Sequence, residues 1–330
     1  MRELAWAAFG AETGTHVVGE PRDPRFRAFR RRFDATAYLE AVRRAGIRWL
    51  PRSDPDFPPL LRAIHDPPVG LFIRGGGSAE LLRKAGAAIV GARSCSPYGS
   101  QVARMLGREL AAAGLVVISG LARGVDGEAH RGALEAGGLT VAVLGCGADR
   151  DYPAAHAELA RRVRERGLVV SEYAPGVVPA PWRFPARNRI IAGLAAVTAV
   201  VEARERSGAL ITADLALEEG REVFAVPGEI TSALSAGTND LLRLGAAPLT
   251  SSKDVLDLFD LAPVAPTEAE VSAEAEAVLT ALRESAAAAD ELARATRLEA
   301  GTIAAALTEL ELAGLANEAG GFFRATSIGT

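Results

Sequence analysis

Between residues 87 and 228, six short runs of apolar and β-branched residues alternate with segments of helical length. The runs are AAIVGA (87–92), LVVISG (115–120), TVAVLG (140–145), LVVSEY (168–173), VTAVVEA (197–203) and EVFAVPG (222–228). Strands that are apolar along their whole length are typical of parallel sheets, because helices cover both faces of such sheets. The alternation therefore predicts an α/β fold with a Rossmann-like, doubly wound, mostly parallel sheet.

Segments with helical periodicity separate these runs. The predicted helices are Tyr98–Ala113, Asp126–Ala136, Ala154–Arg166 and Ala209–Glu219, and the glycines that follow them are Gly114, Gly137, Gly167 and Gly220. Glycine is common directly after a helix because it adopts the left-handed conformation without strain. Each of these four glycines is therefore expected to end its helix.

Changes in composition divide the chain into domains. Residues 1–66 are arginine-rich and broken by proline, with helical periodicity only near residues 35–45, which predicts a small helical N-terminal domain. Residues 67–260 form the Rossmann-like domain, and residues 261–267 form a linker of proline, alanine and glutamate. Residues 268–330 contain three helical runs and a glycine-centred hairpin, which together predict a winged helix.

The overall composition is that of a folded protein, with 330 residues of which 49% are hydrophobic. No apolar run approaches the roughly 18 residues that span a bilayer, and the N-terminus does not resemble a signal peptide, so we expect a cytoplasmic location. The two cysteines form no CxxC pair and the four histidines have no ligand spacing, so no disulfide framework, metal or cofactor is predicted.

Ligands of open α/β sheets bind at the carboxyl ends of the strands, where backbone N–H groups and helix dipoles attract anions. Two loops at strand ends combine glycine, serine and arginine: GARSCSPYG (91–99) and SGLARGVDGEAH (119–130). In the first loop, Ser96 is placed to cap a helix that opens with Pro97. The candidate residues are Gly91, Arg93, Ser94, Ser96, Ser119, Gly120, Arg123 and Gly124. A solvated loop position is the alternative for Arg93.

Two further segments extend this candidate site. FPARNRI (184–190) follows a tryptophan and interleaves aromatic with basic residues, which suits a nucleic-acid strand because guanidinium groups bind phosphates and exposed rings stack on bases. ERSGALITA (205–213) places a serine before another helix start. The candidate residues are Arg183, Phe184, Arg187, Asn188, Arg189, Ser207, Gly208 and Thr212. Anchoring in the core is the alternative for Trp182 and Phe184.

Other chemistry has weaker support in the sequence. Asp126 and His130 lie four residues apart on one face of a predicted helix, either as an acid–base pair or, as we expect, as a capping carboxylate and a packing histidine. The chain has no GxGxxG, GxxxxGK[ST] or GxSxG pattern, so dinucleotide, nucleoside-triphosphate and serine-hydrolase sites lack their usual evidence. All but two of the 37 basic residues are arginine. This bias either provides guanidinium groups that bind phosphate through two hydrogen bonds or reflects GC-rich codons.

Over nearly its whole length the sequence resembles the DNA processing protein A family (DprA, also called Smf). The motifs that carry the resemblance are DPPVGLFIRG (66–75), VGARSCSPYG (90–99), SGLARGVDGEAHRGAL (119–134), VAVLGCG (141–147), SEY (171–173), FPARNRIIAGL (184–194), VVEARERSGALITADLALEEGREVFAVPG (200–228) and GTNDLLRLGA (237–246). Several long motifs in the same order make the resemblance specific.

The resemblance implies a protein without catalytic activity that binds single-stranded DNA, protects it and loads the RecA recombinase onto it during natural transformation. The implied DNA site includes Arg93 and the residues around FPARNR (184–189). The family often carries a basic residue three positions before the phenylalanine, where this chain has Pro181, and we expect Arg183 to supply the charge instead. The resemblance also implies a homodimer through roughly residues 237–259, with candidate contacts at Leu241, Leu242, Leu244, Leu256 and Phe259.

Two alternative functions stay open at this point. Related Rossmann-like phosphoribohydrolases use a PGGxGTxxE motif on the loop that corresponds to ERSGALITA, but here the loop lacks the glycine pair, and Glu218 and Glu219 lie at the far end of the following helix. The second alternative is a sensor of a small nucleotide that acts through its winged helix.

The predicted winged helix is acidic. Residues 264–330 contain 11 acidic and 4 basic residues, a net charge of −7, which leaves +3 on residues 1–263. The predicted recognition helix, Ala300–Ala313, carries Glu309 and Glu311 and no basic residue. Because binding to DNA phosphates depends on cations, we expect this domain to contact protein rather than duplex DNA.

Overall fold

The structure of the protein is a computed structural model, which describes residues 1–264 and 271–325. The chain divides into two compact units, Met1–Pro263 and Val264–Thr330. Residues 265–267 of the expected linker, and residues 268–270 and 326–330 of the expected winged-helix domain, lie outside the described residues.

One sheet of nine strands organises the first unit. The strands are β1 (Ile47–Pro51), β2 (Gly70–Arg74), β3 (Gly86–Val90), β4 (Val116–Ser119), β5 (Thr140–Val143), β6 (Leu168–Ser171), β7 (Val197–Val200), β8 (Glu222–Ala225) and β9 (Ala247–Pro248). Their order is β1-β2-β6-β5-β4-β3-β7-β8-β9, with parallel pairing from β6 to β9 and antiparallel pairing at β1 and β2. The six predicted strands and the mostly parallel α/β fold are confirmed.

Helices cover both faces of this sheet. They are α1 (Arg2–Thr13), α2 (Arg25–Arg32), α3 (Ala35–Arg44), α4 (Pro59–Arg62), α5 (Pro97–Ala112), α6 (Val125–Glu135), α7 (Ala157–Arg166), α8 (Arg183–Leu194), α9 (Gly208–Glu218), α10 (Ala236–Arg243) and α11 (Ser252–Leu256). One apolar cluster packs α4, α8 and α9 on one face, and another packs α5, α6 and α11 on the other. Burial on both faces explains why the strands are apolar throughout.

Three of the four glycines predicted to end helices have the expected left-handed conformation, with φ of 95° at Gly114, 65° at Gly137 and 66° at Gly220. Gly167 differs, because its φ is −141°. A Cβ atom at Gly167 would lie 1.9 Å from the carbonyl oxygen of Thr140, so this glycine is needed for close approach to β5 rather than for the turn.

The N-terminal segment is part of the sheet unit, which differs from the boundary expected at residue 66. Strand β1 pairs with β2 along its whole length, and Ile47 and Leu50 are buried. Helices α1 and α2 pack through Phe9, Phe26 and Phe29 into a cluster shared with the sheet. The sequence did not reveal β1, because the five-residue run IRWLP is interrupted by an exposed arginine and ends in proline.

The chain order of the strands changes direction at β3. From β3 the chain proceeds outward through β4, β5 and β6, and it then returns to place β7, β8 and β9 on the other side. In open α/β sheets, the crevice beside such a switch point is the usual ligand site. We use the term carboxyl rim for the loops that follow the parallel strands β3 to β7, namely residues 91–96, 120–124, 144–153, 172–182 and 201–207.

The second unit consists of three helices and a hairpin, as the sequence predicted. Its elements are α12 (Ala273–Glu284), α13 (Ala289–Thr296), α14 (Ala300–Leu312), β10 (Ala316–Ala319) and β11 (Phe322–Ala325). Apolar side chains from all three helices form one core. No lysine or arginine lies on α14, the helix that would enter a DNA groove.

No helix in residues 1–264 or 271–325 combines the length and the apolar composition that crossing a bilayer requires.

Candidate nucleic-acid interface

The crevice beside β3 and β7 already contains a carboxylate from the chain itself. The backbone N–H of Ser96 donates to Glu202 Oε2 at 2.8 Å, and the Ser96 hydroxyl donates to the same carboxylate. The Ser96 Oγ also accepts from the N–H of Gly99 at 3.0 Å, which confirms the predicted cap. A Cβ atom at Gly99 would lie 2.3 Å from the Glu202 carboxylate, so that position must be glycine. Glu202 therefore occupies the place where Ser96 was expected to bind a phosphate.

The loops after β3 and β4 lie directly against each other. The N–H of Val125 donates to the carbonyl oxygen of Ala92 at 3.2 Å. Gly124 has a φ of 74°, and a Cβ atom there would lie 2.2 Å from the same oxygen. Because the two loops adjoin, Arg93 and Arg123 lie on neighbouring segments of the carboxyl rim. Both side chains are exposed. The structure thus brings together the arginines of the first two predicted loops.

The segment FPARNRI, which was expected among the ligand-binding loops after the strands, forms the first half of helix α8. Arg187 is only 4% exposed, and its Nη1 donates to the carbonyl oxygen of Gly120 at 2.9 Å and to that of Val143. A Cβ atom at Gly120 would lie 2.5 Å from the Arg187 guanidinium. Asn188 accepts from Arg187 Nε at 3.2 Å and donates to the carbonyl oxygen of Gly208 at 3.0 Å. These two side chains hold strand and helix ends together and are not exposed for DNA contact.

Arg189 and Arg183 are buried as well. Arg189 donates to Glu172 and to Asp66, and so ties the end of β6 to the segment before β2. Arg183 is 8% exposed and lies against the rings of both Tyr173 and Trp182, at 5.3 and 4.8 Å from their centroids. Its Nη1 donates to the carbonyl oxygen of Val178. The expectation that Arg183 replaces the exposed cation missing at position 181 does not agree with this geometry.

A stack of one cation and two rings lies at the carboxyl rim, with Arg93 and Tyr152 exposed and Phe184, from the start of α8, half-buried. The Arg93 guanidinium lies 5.2 Å above the ring of Phe184, which stacks on Tyr152 with 5.5 Å between ring centroids and 22° between planes. Tyr152 is 40% exposed, and Trp182, on the same side of the rim, is 45% exposed. The sequence reasoning missed Tyr152, although an aromatic residue in the loop after β5 was the available signal.

Ser207 precedes α9, and its hydroxyl is buried without a hydrogen-bond partner among the described residues. Gly208 is exposed, while Thr212 is buried and donates to the Gly208 carbonyl oxygen at 3.2 Å. Unlike the start of α5, this helix start has no carboxylate bonded to it in the described part of the chain. Of these two helix starts, the start of α9 is therefore the one at which backbone N–H groups are available to an anion. The exposed Arg204 and Arg206 lie in the loop just before it.

Asp126 and His130 are both buried and do not form an acid–base pair. The Asp126 carboxylate accepts from the N–H groups of Gly120 at 3.0 Å and Ala122 at 3.4 Å. Burial raises the pKa of Asp126, and the nearby Arg187 and the two N–H donors oppose this shift. His130 Nδ1 lies 2.7 Å from Thr140 Oγ1, and burial lowers the pKa of this histidine to about 3. His130 is a neutral packing residue at physiological pH, as expected.

The acidic residues that a nucleotide-processing enzyme would need lie elsewhere. Glu218 ends α9, and Glu219 Oε1 accepts from the backbone N–H of His65 at 2.8 Å, so both are one helix length from Ser207. Within the described ranges, no three histidine, cysteine or acidic side chains gather in a way that could hold a metal ion. The positions of Glu218 and Glu219 in the described structure therefore do not support the phosphoribohydrolase alternative.

The residues expected at a dimer interface differ in their exposure. Leu241 and Leu256 belong to the two main core clusters and are 6% and 0% exposed. Leu242 and Phe259 are half-buried, whereas Leu244 is 81% exposed. Leu241 and Leu256 are therefore core residues, and Leu244 is the member of this set with a free apolar surface.

A doubly wound sheet, an appended winged helix and a cation–aromatic surface on the carboxyl rim define a class of Rossmann-like α/β proteins. Residues 48–260 match the family described as DNA recombination-mediator protein A, and residues 262–321 match the DprA winged helix domain. The chain therefore belongs to the DNA recombination-mediator protein A family.

Relatives support this assignment. The chain is 46% identical over 207 residues to DNA processing protein DprA of Streptococcus pneumoniae, covering 63% of this chain and 72% of the relative. It is 37% identical over 321 residues to the putative DprA of Mycobacterium tuberculosis, covering 91% and 82%.

Two solved structures are similar to the chain. The X-ray structure of the S. pneumoniae protein aligns with a TM-score of 0.67 and 37% identity, over 78% of this chain and 92% of that one. The Helicobacter pylori protein aligns with a TM-score of 0.59 and 31% identity, over 66% and 97%, and its structure is described as showing a single-stranded DNA binding mode.

The buried state of His130 has a measurable consequence. Its pKa is about 3 in the folded protein and 6.5 in the unfolded chain, so between these values the unfolded chain binds one more proton. The free energy of unfolding should thus fall as the pH falls through this window, by about 1.4 kcal/mol per pH unit at most. Urea unfolding at pH 7 and pH 5 should show a smaller pH effect in His130→Gln than in wild type. The exposed His65→Gln variant should behave like wild type, and an unchanged pH effect in His130→Gln would contradict this assignment.

Proposed function

We propose that the protein binds single-stranded DNA along the carboxyl rim and acts as a recombination mediator without catalysing a reaction. The observation that carries the proposal is the stack of the exposed Arg93 and Tyr152 with Phe184 at the rim of a chain that belongs to this family. Guanidinium groups bind phosphates, and exposed aromatic faces stack on unpaired bases of any sequence. Duplex DNA offers no free base faces, so the surface favours a single strand.

The proposed path of the strand crosses the strand ends of the sheet. It starts at the open helix start after Ser207, passes Arg93 and Arg123, and continues over Tyr152 to Trp182. Because neighbouring strands are about 4.8 Å apart, the part of this path from β3 to β6 is roughly 14 Å long. Such a length accommodates only a few nucleotides in contact with the sheet.

The buried arginines have a supporting role in this proposal. Arg187 fixes the carboxyl ends of β4 and β5, and Asn188 fixes the start of α9, where the backbone N–H groups of the first turn would receive a phosphate. The Arg183 guanidinium packs against the Trp182 ring, 4.8 Å from its centroid, and donates to the carbonyl oxygen of Val178. Of the predicted DNA-contacting residues, Arg93, Ser94, Arg123 and Gly208 are exposed, while Phe184 and Ser207 are half-buried.

The remaining finer statements are also part of the proposal. The family description as a recombination mediator supports delivery of the strand to the RecA recombinase during natural transformation, in the cytoplasm. A homodimer would form through residues 237–259, with Leu244 as its exposed anchor and Leu242 and Phe259 beside it. The acidic winged-helix unit, which lacks a basic recognition helix, is suited to a protein partner.

Replacing Arg93 tests the DNA site. Arg93→Ala should weaken binding to an oligo-dT strand by about tenfold, since a charge-assisted contact contributes ~1.5 kcal/mol. The slope of log affinity against log salt should decrease by about 0.7, the value for one phosphate contact to a single strand. Fluorescence anisotropy with oligo-dT and with a duplex of equal length, at two salt concentrations, measures both quantities.

The matched control is Arg166→Ala, since Arg166 is exposed but lies at the end of α7, beside the amino end of β6. This variant should bind like wild type. If wild type binds duplex as well as single strand, or if Arg93→Ala and Arg166→Ala have the same affinity, the proposed site is wrong.

Replacing Leu244 tests the dimer. Leu244→Glu places a charge on an apolar side chain that is 81% exposed, and it should shift the protein from dimer to monomer in light scattering coupled to size exclusion. Val178→Glu is the control, because Val178 is 55% exposed in the loop after β6, in the opposite half of the sheet. A wild-type monomer, or a Leu244→Glu dimer, would contradict the interface.

A further inference from the structure

The positive charge of the first unit is concentrated in its N-terminal part, before β2. Residues 67–263 contain 21 basic and 21 acidic residues and are neutral overall. Residues 21–48 contain nine arginines against three acidic residues, a net charge of +6. This excess lies on α2, α3 and the start of β1, outside the carboxyl rim.

Helix α2 presents this charge on a fixed face. Phe26 and Phe29 are buried, with their ring centroids 5.2 and 5.4 Å from that of Phe9 on α1. The arginines of the helix are exposed, and Arg27 and Arg31 lie one turn apart on the same face. The helix is therefore anchored through its aromatic residues, and its guanidinium groups are held toward solvent.

Most of these arginines have no carboxylate partner. Within the described residues, Arg25 pairs with Asp23 and Arg32 pairs with Glu12. Helices α2 and α3 carry five other arginines, all of them exposed. None of the five forms an ion pair within 4.0 Å among the described residues; they are Arg27, Arg30, Arg31, Arg43 and Arg44. Some exposed arginines elsewhere on the unit, such as Arg104 and Arg161, are neutralised by glutamates, and the unpaired ones are not gathered in so basic a segment. Uncompensated guanidinium groups at adjacent turns form a surface for a repeating anion.

The N-terminal helices pack at the same end of the sheet as the carboxyl rim. The cluster that contains Phe26 and Phe29 also contains Ala148 from the loop after β5, and Tyr173 and Val177 from the loop after β6. Tyr173 in turn contacts Trp182 edge-on, with 6.3 Å between ring centroids. Tyr173 thus packs in the cluster beneath the N-terminal helices and also contacts the last exposed ring of the proposed strand path.

We propose that the basic face of α2, which we define by Arg27, Arg30 and Arg31, is a second binding site for the phosphate backbone of the same DNA strand. This inference rests on the proposed function: a strand that runs from Arg93 toward Trp182 continues in the direction of β2, β1 and the N-terminal helices. The second site has no exposed aromatic residue among its helix positions, so it binds the strand by charge alone and adds length to the contact rather than base stacking.

Strand length separates the two sites experimentally. An oligo-dT of about 6 nucleotides fits one groove, while one of about 30 exceeds the ~4–16 nucleotides that one groove covers. We expect Arg27→Gln/Arg31→Gln to weaken binding of the long strand by about tenfold and to reduce its salt slope by about 1.4, the value for two contacts. Binding of the short strand should be unchanged. Glutamine preserves helix propensity and leaves the buried phenylalanines untouched.

The matched control is Arg162→Gln/Arg166→Gln, which removes two exposed arginines at the same spacing on α7, neither of them in an ion pair among the described residues. It should leave both strands bound as in wild type. The inference is overturned if the α2 variant binds the long strand like wild type, which would leave the basic face for an acidic protein, or if it weakens short and long strands equally. Failure of the proposed function is a different result, because Arg93→Ala would then leave even the short strand unaffected.

Discussion

The guanidinium of Arg187 is bonded to backbone carbonyl oxygens where β4 and β5 end, and the exposed groups of the carboxyl rim are arranged around it. A buried charge is stable only when its donors are satisfied, and here the satisfying acceptors are the strand ends themselves. Gly120 must be glycine to admit this side chain, and Asp126 holds the same loop through two backbone N–H groups. The loop that carries Arg123 is therefore positioned by an interaction beneath it.

A division between buried and exposed arginines follows from this arrangement. The guanidinium groups of Arg183, Arg187 and Arg189 donate hydrogen bonds within the protein. They therefore shape the rim and are not available to a ligand. Arg93 and Arg123 are exposed on the resulting surface, where the proposed strand would place its phosphates. Glu202 adds a second constraint, because its carboxylate bonds to the N-terminus of α5 and so occupies the anion position of that helix start. A phosphate is consequently expected at the start of α9 and across the strand ends rather than at the start of α5.

Much of this could be predicted from the sequence. The six apolar strands, the helices between them and the winged helix follow from periodicity and glycine placement, because those patterns depend on burial of whole elements. Strand β1 escaped prediction because its arginine and proline break the pattern. The direction in which individual side chains point was not predictable. The sequence around an arginine in FPARNR is the same whether its guanidinium group donates to a backbone carbonyl oxygen or to a phosphate. Likewise, Leu241 and Leu256 differ from Leu244 only in the tertiary packing of α10 and α11.

The most direct test of the account is the location of a bound strand on the protein surface. An oligo-dT in which several thymines are replaced by 5-iododeoxyuridine can be crosslinked by ultraviolet light and the adducts mapped by mass spectrometry. The account predicts adducts at the exposed rings of the rim, Tyr152 and Trp182, because these are the stacking surfaces beside Arg93. Adducts confined to the winged-helix unit, or to residues at the amino ends of the strands, would contradict it.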